Sequence, residues 1–422
     1  MGRRVVVTGM GIISPVGESV ETFWSNVREG RSGIAPIEWE FDEAPVVSVA
    51  AQVREFTPEA HGLARNDLRR NDRFCQFALA AANDAMQDSG LVAGENIAPS
   101  RLGVYVGTSL GSIGTVAKEA ANWMENGADR VSPLFIPMYI SNMATGNIAI
   151  RHHAEGPSLP IITACATGTH SVGEAYRCIQ NGHADAILAG GAEAGIHPMT
   201  LGGLNNCKAL SRATDPALAS LPFDSRRGGF VMGEGASVLV LEEYDHAVSR
   251  GARIYAEVCG YGTSCDAYHC TSPKPDGEIA GRAIKAALDE AGYSSSDCLY
   301  INAHGTGTHL NDATETRAIK NAMGEAEAAR AHVSSTKAVT GHMLGAAGSA
   351  ELIAAVCALR EGVVPPTVGL TEQDPECNLD CTPVSAQKAP LTLAISESLG
   401  FGGHNACVAL RLIKVRLSRA EK

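Results

Sequence analysis

Three residues of this 422-residue chain have the types and surroundings for covalent chemistry: Cys165, His304 and His342. Cys165 follows a β-branched apolar run, Pro160–Thr163, and precedes a segment of helical periodicity (Val172, Ala175, Cys178, Ile179) that stops at Asn181-Gly182. This layout predicts strand, sharp turn and helix, with the thiol on the turn facing open space. There the unpaired N–H groups and dipole of the helix favour its thiolate. Most free cysteines are small buried apolar side chains; the turn and two histidine motifs set this one apart. His304 follows an apolar strand in NAHGTGT (302–308), among glycines that let backbone approach a ligand closely. His342 repeats the arrangement in front of a glycine-containing helix, with Glu351 nine residues further on. A cysteine and two histidines on equivalent turns make a nucleophile with two imidazoles to orient and protonate. A Cys-His-carboxylate hydrolase needs one histidine and one acid. Two histidines suit a reaction with two anionic moments, an enolate and then a tetrahedral oxyanion.

The elements that must hold these residues come in two series. Residues 4–13, 101–108, 185–191 and 236–242 read as strands, and 18–30 and 74–90 as helices. Residues 31–72 read as irregular, 113–155 as a largely helical excursion, and 195–233 as a long glycine-, serine- and arginine-rich connection. From Ala252 the series starts afresh, with strand 252–261, helix 278–291 and strand 298–303, and ALDEAGY (287–293) echoes AMQDSGL (85–91). Residues 333–362 repeat the layout around Cys165, and strands near 391–399 and 405–413 close the chain. The echo implies two copies of one βα unit, residues 1–251 and 252–422, packed face to face with mostly parallel buried sheets. Chemistry then belongs where the strand ends of the two halves meet.

Composition narrows the function. At 45% hydrophobic and 19% charged the chain buries a large core, while 5% aromatics do not make a nucleic-acid stacking platform. A net charge of −12 argues against a duplex or an anionic membrane as main partner. The N-terminal apolar run is broken by Gly9, Gly11 and Pro15, and no run approaches the roughly 20 residues of a bilayer span. The 12 scattered cysteines fit a reduced, cytoplasmic enzyme. Cys265 with Cys270, and Cys377 with Cys381, lack the spacing of a zinc knuckle, so no metal is expected.

With these motifs in place the chain resembles the β-ketoacyl-acyl-carrier-protein synthases, condensing enzymes of the thiolase fold, and most closely synthase II of fatty-acid synthesis. VVVTGMGIISPVG (5–17), TACATGTHS (163–171), DAYHCTSP (266–273), NAHGTGT, STKAVTGHMLGAAG (335–348) and GFGGHNA (400–406) carry the likeness over nearly the full length. The resemblance implies a five-layer αβαβα fold of two duplicated halves. It implies that Cys165 takes an acyl group from an acyl carrier protein and that His304 and His342 bind the malonyl thioester carbonyl. Loss of carbon dioxide then leaves an enolate that attacks the acyl-cysteine. The backbone N–H groups of Cys165 and Phe401 would form the oxyanion hole, and Lys337 and Glu351 an ion pair that tunes the histidines. Thr306, Thr308, Thr271 and Ser272 match pantetheine contacts, Phe230 and Phe401 the gate of the pocket, and Leu110 a position that limits the acyl channel. Arg69, Arg70, Arg130 and Lys208 match a carrier-docking rim, although Asn66 stands where a lysine is common.

Two departures stand out: Arg227-Gly228-Gly229-Phe230 lacks a loop carboxylate, and Glu397-Ser398-Leu399 replaces the more familiar Asn-Ser-Phe. The expectation is a cofactor-free homodimer that extends a carrier-bound chain by two carbons. The alternatives are a ketosynthase of a type II polyketide or polyene pathway, with a heterodimeric partner, and a non-catalytic subunit of the same fold. A biosynthetic thiolase would need a second cysteine, and GFGGHNA has none before Cys407.

Overall fold

The computed structural model describes residues 2–413; residues 414–422 of the expected second half lie outside the described residues. Nine strands form the main sheet: β1 Val5–Ile13, β2 Leu102–Gly107, β3 Ala186–Glu193, β4 Gly235–Glu243, β5 Ala256–Cys265, β6 Leu299–Asn302, β7 His332–Ser334, β8 Leu393–Gly400 and β9 His404–Arg411. The helices that matter for the site are α1 Arg73–Ser89, α2 Thr167–Gln180, α3 Glu278–Glu290, α4 His309–Met323 and α5 Ala347–Glu361.

The duplication is explicit in the pairing. Across the sheet the order is β2-β3-β4-β1-β5-β9-β8-β6-β7. Counted outward from the centre, β1-β4-β3-β2 and β5-β9-β8-β6 have the same sequence of directions: antiparallel, antiparallel, parallel. The halves join where Val5–Val7 pair with Ala256–Val258. β1, β3 and β4 are buried at every position, which is why they read as continuous apolar runs rather than alternating ones.

One expected strand is absent. β7 has its counterpart in the segment before Cys165, but there only Ser158 bridges Val104 of β2, and Pro160–Thr163 joins no ladder. Pro160 lacks the donor that a ladder needs, and the chain leaves the sheet at that point.

Helices α2 and α5 form the middle layer. α2 lies on β3 and β2 of its own half and on β9 of the other; α5 lies on β8 of its own half and on β4 and β3 of the other. α1 covers β1, β4 and β3 from outside, and α3 covers β5 and β9. This is the expected five-layer arrangement. α2 ends as its sequence predicts, with Gly182 at φ +80 and its N–H on the Ile179 carbonyl. The segments read as irregular hold more structure than expected: a helix at Arg65–Arg70, another at Pro198–Asn206, and short strands at Ala35–Pro36 and Val49–Ala50.

Candidate active site

Cys165 sits in a single 3-10 turn, Ala164–Ala166, directly before α2. Ala164 holds φ +51, a left-handed conformation that costs a non-glycine residue on the order of 1–3 kcal/mol. The turn has a twin in the other half: Leu344–Ala346 precedes α5, and Leu344 holds φ +45. Gly345 therefore occupies in half two the place of Cys165 in half one. Beside Gly345 lies the buried carboxylate of Glu193, which accepts the N–H groups of Gly345, Ser109 and Leu110 and the hydroxyl of Thr108. Burial pushes Glu193 up to about 7, against those four donors.

The thiol does not face open solvent, as the sequence suggested; Cys165 is only 8% exposed. Nor is the thiolate favoured in the resting protein. Burial pushes the thiol up to about 11, while the Lys337 charge and the N–H groups of Phe401 and Cys165 pull it down. Those two N–H groups are the expected oxyanion-hole pair, and both reach the sulfur position. Gly400 makes this approach possible, since a Cβ there would lie 2.6 Å from the Thr163 carbonyl oxygen.

His304 and His342 reach the same point from half two. Ligand atoms of Cys165, His304 and His342 lie within 4.8 Å of one another, and each residue is buried. The imidazoles meet edge-on with centroids 5.3 Å apart, and Phe230 meets His342 edge-on at 5.0 Å. Among the described residues, His304 Nδ1 and both ring nitrogens of His342 have no hydrogen-bond partner. Burial first, and the Lys337 charge second, holds both histidines well below their ordinary value, so both are neutral near pH 7. A neutral imidazole still carries one N–H to donate. This spacing of a thiol and two imidazoles would also admit a soft metal ion.

The backbone fixes each ring. His342 donates its N–H to the Val231 carbonyl at 2.7 Å and accepts from Gly233 at 2.8 Å, which ties it to the segment carrying Phe230. Glu315 of α4 accepts the N–H of His304 at 2.5 Å and of Gly305 at 2.8 Å. Gly305 is at φ +36, and a Cβ there would lie 2.5 Å from Ser335 Cβ, so no larger residue fits that turn. Behind the rings Lys337 and Glu351 form the expected ion pair, both buried. Burial pushes Glu351 up to about 7 in spite of Lys337.

A cavity of about 240 Å³ opens onto these groups. It is lined by Cys165, His304, His342, Phe401, Phe230, Thr306, Thr308, Thr271, Ser272 and Lys208, so most of the residues singled out in the sequence converge. Thr306 and Thr308 share a hydroxyl contact of 3.0 Å. Thr271 and Ser272 donate their N–H groups to His269 Nδ1 at 3.2 Å.

Leu110, matched to a position that limits the acyl channel, does not line this cavity and is 41% exposed. It approaches the cavity's apolar wall indirectly, since Leu110 and Met232 both press on Gly195, where a Cβ would lie 2.7 Å from Leu110 Cδ1 and 2.9 Å from Met232 Cε. Met232 packs with Phe230, Leu210, Leu344 and Cys165. Of the four basic residues, Lys208 is at the cavity, while Arg69, Arg70 and Arg130 are exposed and do not line it. Arg227 stands beside the position of the missing loop carboxylate. Its buried guanidinium reaches Asp374 at 2.6 Å and Asp312 at 3.6 Å and donates to the carbonyls of Asp224, Thr308 and His309.

Glu193, Asp312 and Glu315 escaped the sequence reading. Asn311 and Glu315 are one helical turn apart, the spacing that puts both on one face, and that signal pointed to the histidine strand.

The β-ketoacyl synthase N-terminal domain family matches residues 2–247, and the β-ketoacyl synthase C-terminal domain family matches residues 255–371. The chain is 46% identical over 409 residues to 3-oxoacyl-[acyl-carrier-protein] synthase 2 of Staphylococcus aureus, covering 97% of this chain and 98% of the relative. It is 45% identical over 411 residues to the protein of the same name from Synechocystis, again covering 97% and 98%. Among solved structures, a type II polyketide ketosynthase in complex with its acyl-carrier protein and bound to a hexaketide superposes with a TM-score of 0.90 at 33% identity, covering 98% of this chain and all of that one. The ishigamide ketosynthase/chain length factor gives a TM-score of 0.90 at 35% identity with the same coverage. With family matches over both halves and curated relatives along nearly its whole length, the chain belongs to the β-ketoacyl synthase family.

Proposed function

We propose that the chain elongates an acyl group carried by an acyl carrier protein, through decarboxylative condensation with a malonyl thioester. The observation that carries this reading is the convergence of one buried thiol and two neutral, unpartnered imidazoles on a single cavity. The Cys165 sulfur attacks the acyl thioester carbonyl, and the N–H groups of Cys165 and Phe401 hold the developing oxyanion, each donor supplying on the order of 3 kcal/mol. The carrier thiol leaves with a proton, and the acyl group remains on sulfur. The malonyl thioester then enters with its pantetheine arm along Thr306, Thr308, Thr271 and Ser272. His304 and His342 donate to its thioester oxygen. The carboxylate leaves as carbon dioxide, the electron pair of that C–C bond becomes the enolate, and the enolate carbon attacks the acyl-cysteine. The C–S bond breaks and Cys165 is regenerated. Neutral donors suit this role because a ring that stays uncharged gives up no desolvation when the malonyl group displaces water.

Fatty-acid elongation is favoured by the identity to the two synthase 2 relatives. A polyketide or polyene ketosynthase is the second reading, supported by the likeness to the type II polyketide ketosynthase and to the ishigamide ketosynthase/chain length factor. A second copy of the chain is the expected partner in the first reading. Trp123, Met124, Ile136, Tyr139, Leu159 and Ile162 leave large apolar side chains exposed that such a copy would cover. Mass spectrometry of products from malonyl-carrier protein and acyl primers of graded length separates the readings. Single two-carbon extensions support the first, poly-β-keto chains support the second, and no product together with an unacylated Cys165 removes both.

A further inference from the structure

Three carboxyl groups, Glu315, Glu351 and Glu397, and one ammonium, Lys337, are buried together beneath the histidines. Glu351 is paired with Lys337. Glu315 spends both oxygens on the N–H groups of His304 and Gly305 and on Asn311. Glu397 is left on β8 with no cation of its own. It is 2% exposed, its Oε1 has no partner, and its cross-strand neighbour is the buried Cys407. It faces the carboxyl of Glu315: Ser396, beside Glu397, pairs with Asn302, and Glu315 binds the backbone of His304 and Gly305 just past that pair. Two carboxylates cannot both be ionised at that separation in a dry interior.

We propose that Glu397 is held as the neutral acid and donates its proton to Glu315, so that the pair fixes the Glu315 carboxylate under the His304–Gly305 backbone and makes Glu397 a positioning residue for His304. The direction of donation follows from the surroundings. Glu315 already accepts three N–H bonds that favour its charge, while Glu397 accepts none from backbone. Every charge facing Glu397 acts the same way save one. Burial and Glu315 raise it, Glu351 raises it further, and only Lys337 lowers it. Burial and Asp312 push Glu315 up to about 7 against the bond from Glu397 and the Gly305 N–H, while Glu397 has no such opposing bond and the proton rests on it. Cys407 stays a neutral thiol, raised by burial and by Glu397. An acid whose folded value lies above its unfolded one adds stability that is full below about pH 4.5 and is lost as pH rises toward the folded value.

The role assigned to His304 rests on the proposed condensation, so the first readout needs no reaction. The Tm of the full chain is measured from pH 5 to pH 9 for the wild type, Glu397→Gln and Glu397→Asn. Relative to both neutral variants the wild type is expected to lose Tm steadily over that range, so that the variants gain on it as pH rises and exceed it at pH 9. Parallel curves would overturn the proposal. So would a wild-type Tm that rises with sodium or potassium chloride but not with tetramethylammonium chloride at matched ionic strength, since an ion would then stand in place of the shared proton. The second readout is malonyl decarboxylation. Glu397→Gln, which keeps a donor, should retain kcat within about twofold, while Glu397→Leu, which frees Glu315, should lower kcat by about tenfold or more with Cys165 acylation intact. Equal kcat in the glutamine and leucine variants would overturn the positioning role even if the Tm curves behave as expected.

Discussion

Gly168 of α2 and Gly348 of α5 occupy the same place in the two halves, and each lies against the backbone of the other's helix. A Cβ on Gly168 would lie 2.7 Å from the Ser349 nitrogen, and one on Gly348 would lie 2.7 Å from the Thr169 nitrogen and 2.0 Å from its hydroxyl. Both helices begin one residue after the turns that carry Cys165 and its twin Gly345. Their spacing therefore sets the distance from the thiol to the second half. Gly168→Ala and Gly348→Ala should each cost about 1–3 kcal/mol through overpacking against rigid backbone. Thermal denaturation reads that loss, and condensation should fall more than stability alone accounts for, because these helices follow directly on the turns that carry Cys165 and its twin. An unchanged Tm in both variants would show that the contact yields.

His304→Ala and His342→Ala should each reduce malonyl decarboxylation by about 10²- to 10³-fold, the loss of one donor at a developing oxyanion, while Cys165 still accepts an acyl group. Since both rings are neutral well below pH 6.5, wild-type decarboxylation should show no imidazole inflection between pH 6 and pH 8. The stability sign follows from the same direction. A base depressed in the folded state contributes stability present above its unfolded value of about 6.5 and lost as pH falls below it. The alanine variants should lose less Tm than the wild type on acidification from pH 7 to pH 5. An inflection near pH 6.5 in wild-type decarboxylation would contradict the neutral assignment.

Lys337→Met leaves the Glu351 carboxyl without its cation, and breaking a buried pair from one side costs about 3–5 kcal/mol. The double variant Lys337→Met, Glu351→Leu should recover much of that stability. It should not recover the thiol, because Lys337 is the main influence that lowers Cys165 against burial. The pH profile of Cys165 alkylation should therefore move upward in the single and the double variant alike. A profile that returns with the double variant would mean that Lys337 acts on the thiol only through the fold.

Arg69 and Arg70 are exposed at the end of a short helix, away from the cavity, so reversing them to glutamate leaves the chemistry untouched. At a net charge of −12 the chain would repel an acidic carrier protein unless a local patch attracts it. The double reversal should lower kcat/KM for carrier-bound substrate and flatten its salt dependence, an effect screened beyond roughly 8–10 Å at physiological salt. A small pantetheine thioester should react as before. Equal losses on both substrates would point to damage, and no loss to docking elsewhere.

The duplicated architecture was legible because it is written in periodicity: apolar runs too continuous for exposed strands, glycine stops, and the echo of AMQDSGL in ALDEAGY. The thiol and the histidines were legible because each follows an apolar run at a glycine-rich turn. The protonation of the site was not. The turn before α2 suggested a thiolate at a helix N-terminus, but desolvation outweighs the helix and one lysine, and burial depends on residues far off in sequence such as Phe230 and Phe401. The buried carboxyls were hidden for a related reason. Glu193, Glu315 and Glu397 stand in sequence like ordinary surface acids or mere departures from a motif, and only the packing of β3, α4 and β8 shows how little charge accompanies them.

The left-handed residue before the nucleophile invites the view that backbone tension is kept there for the sake of the reaction. Leu344 argues otherwise. It bends the chain the same way in a corner where a glycine replaces the sulfur and nothing reacts. The tension is thus the toll of turning from sheet to central helix in so little chain, levied on both copies alike, and reactivity has settled on one of two identical bends. Glycine at position 344 would ease the bend but empty a buried leucine site packed against Cys165, Phe230 and Met232, so it should cost stability on balance, whereas the same change at Ala164 removes one methyl group and would loosen the one corner whose aim matters.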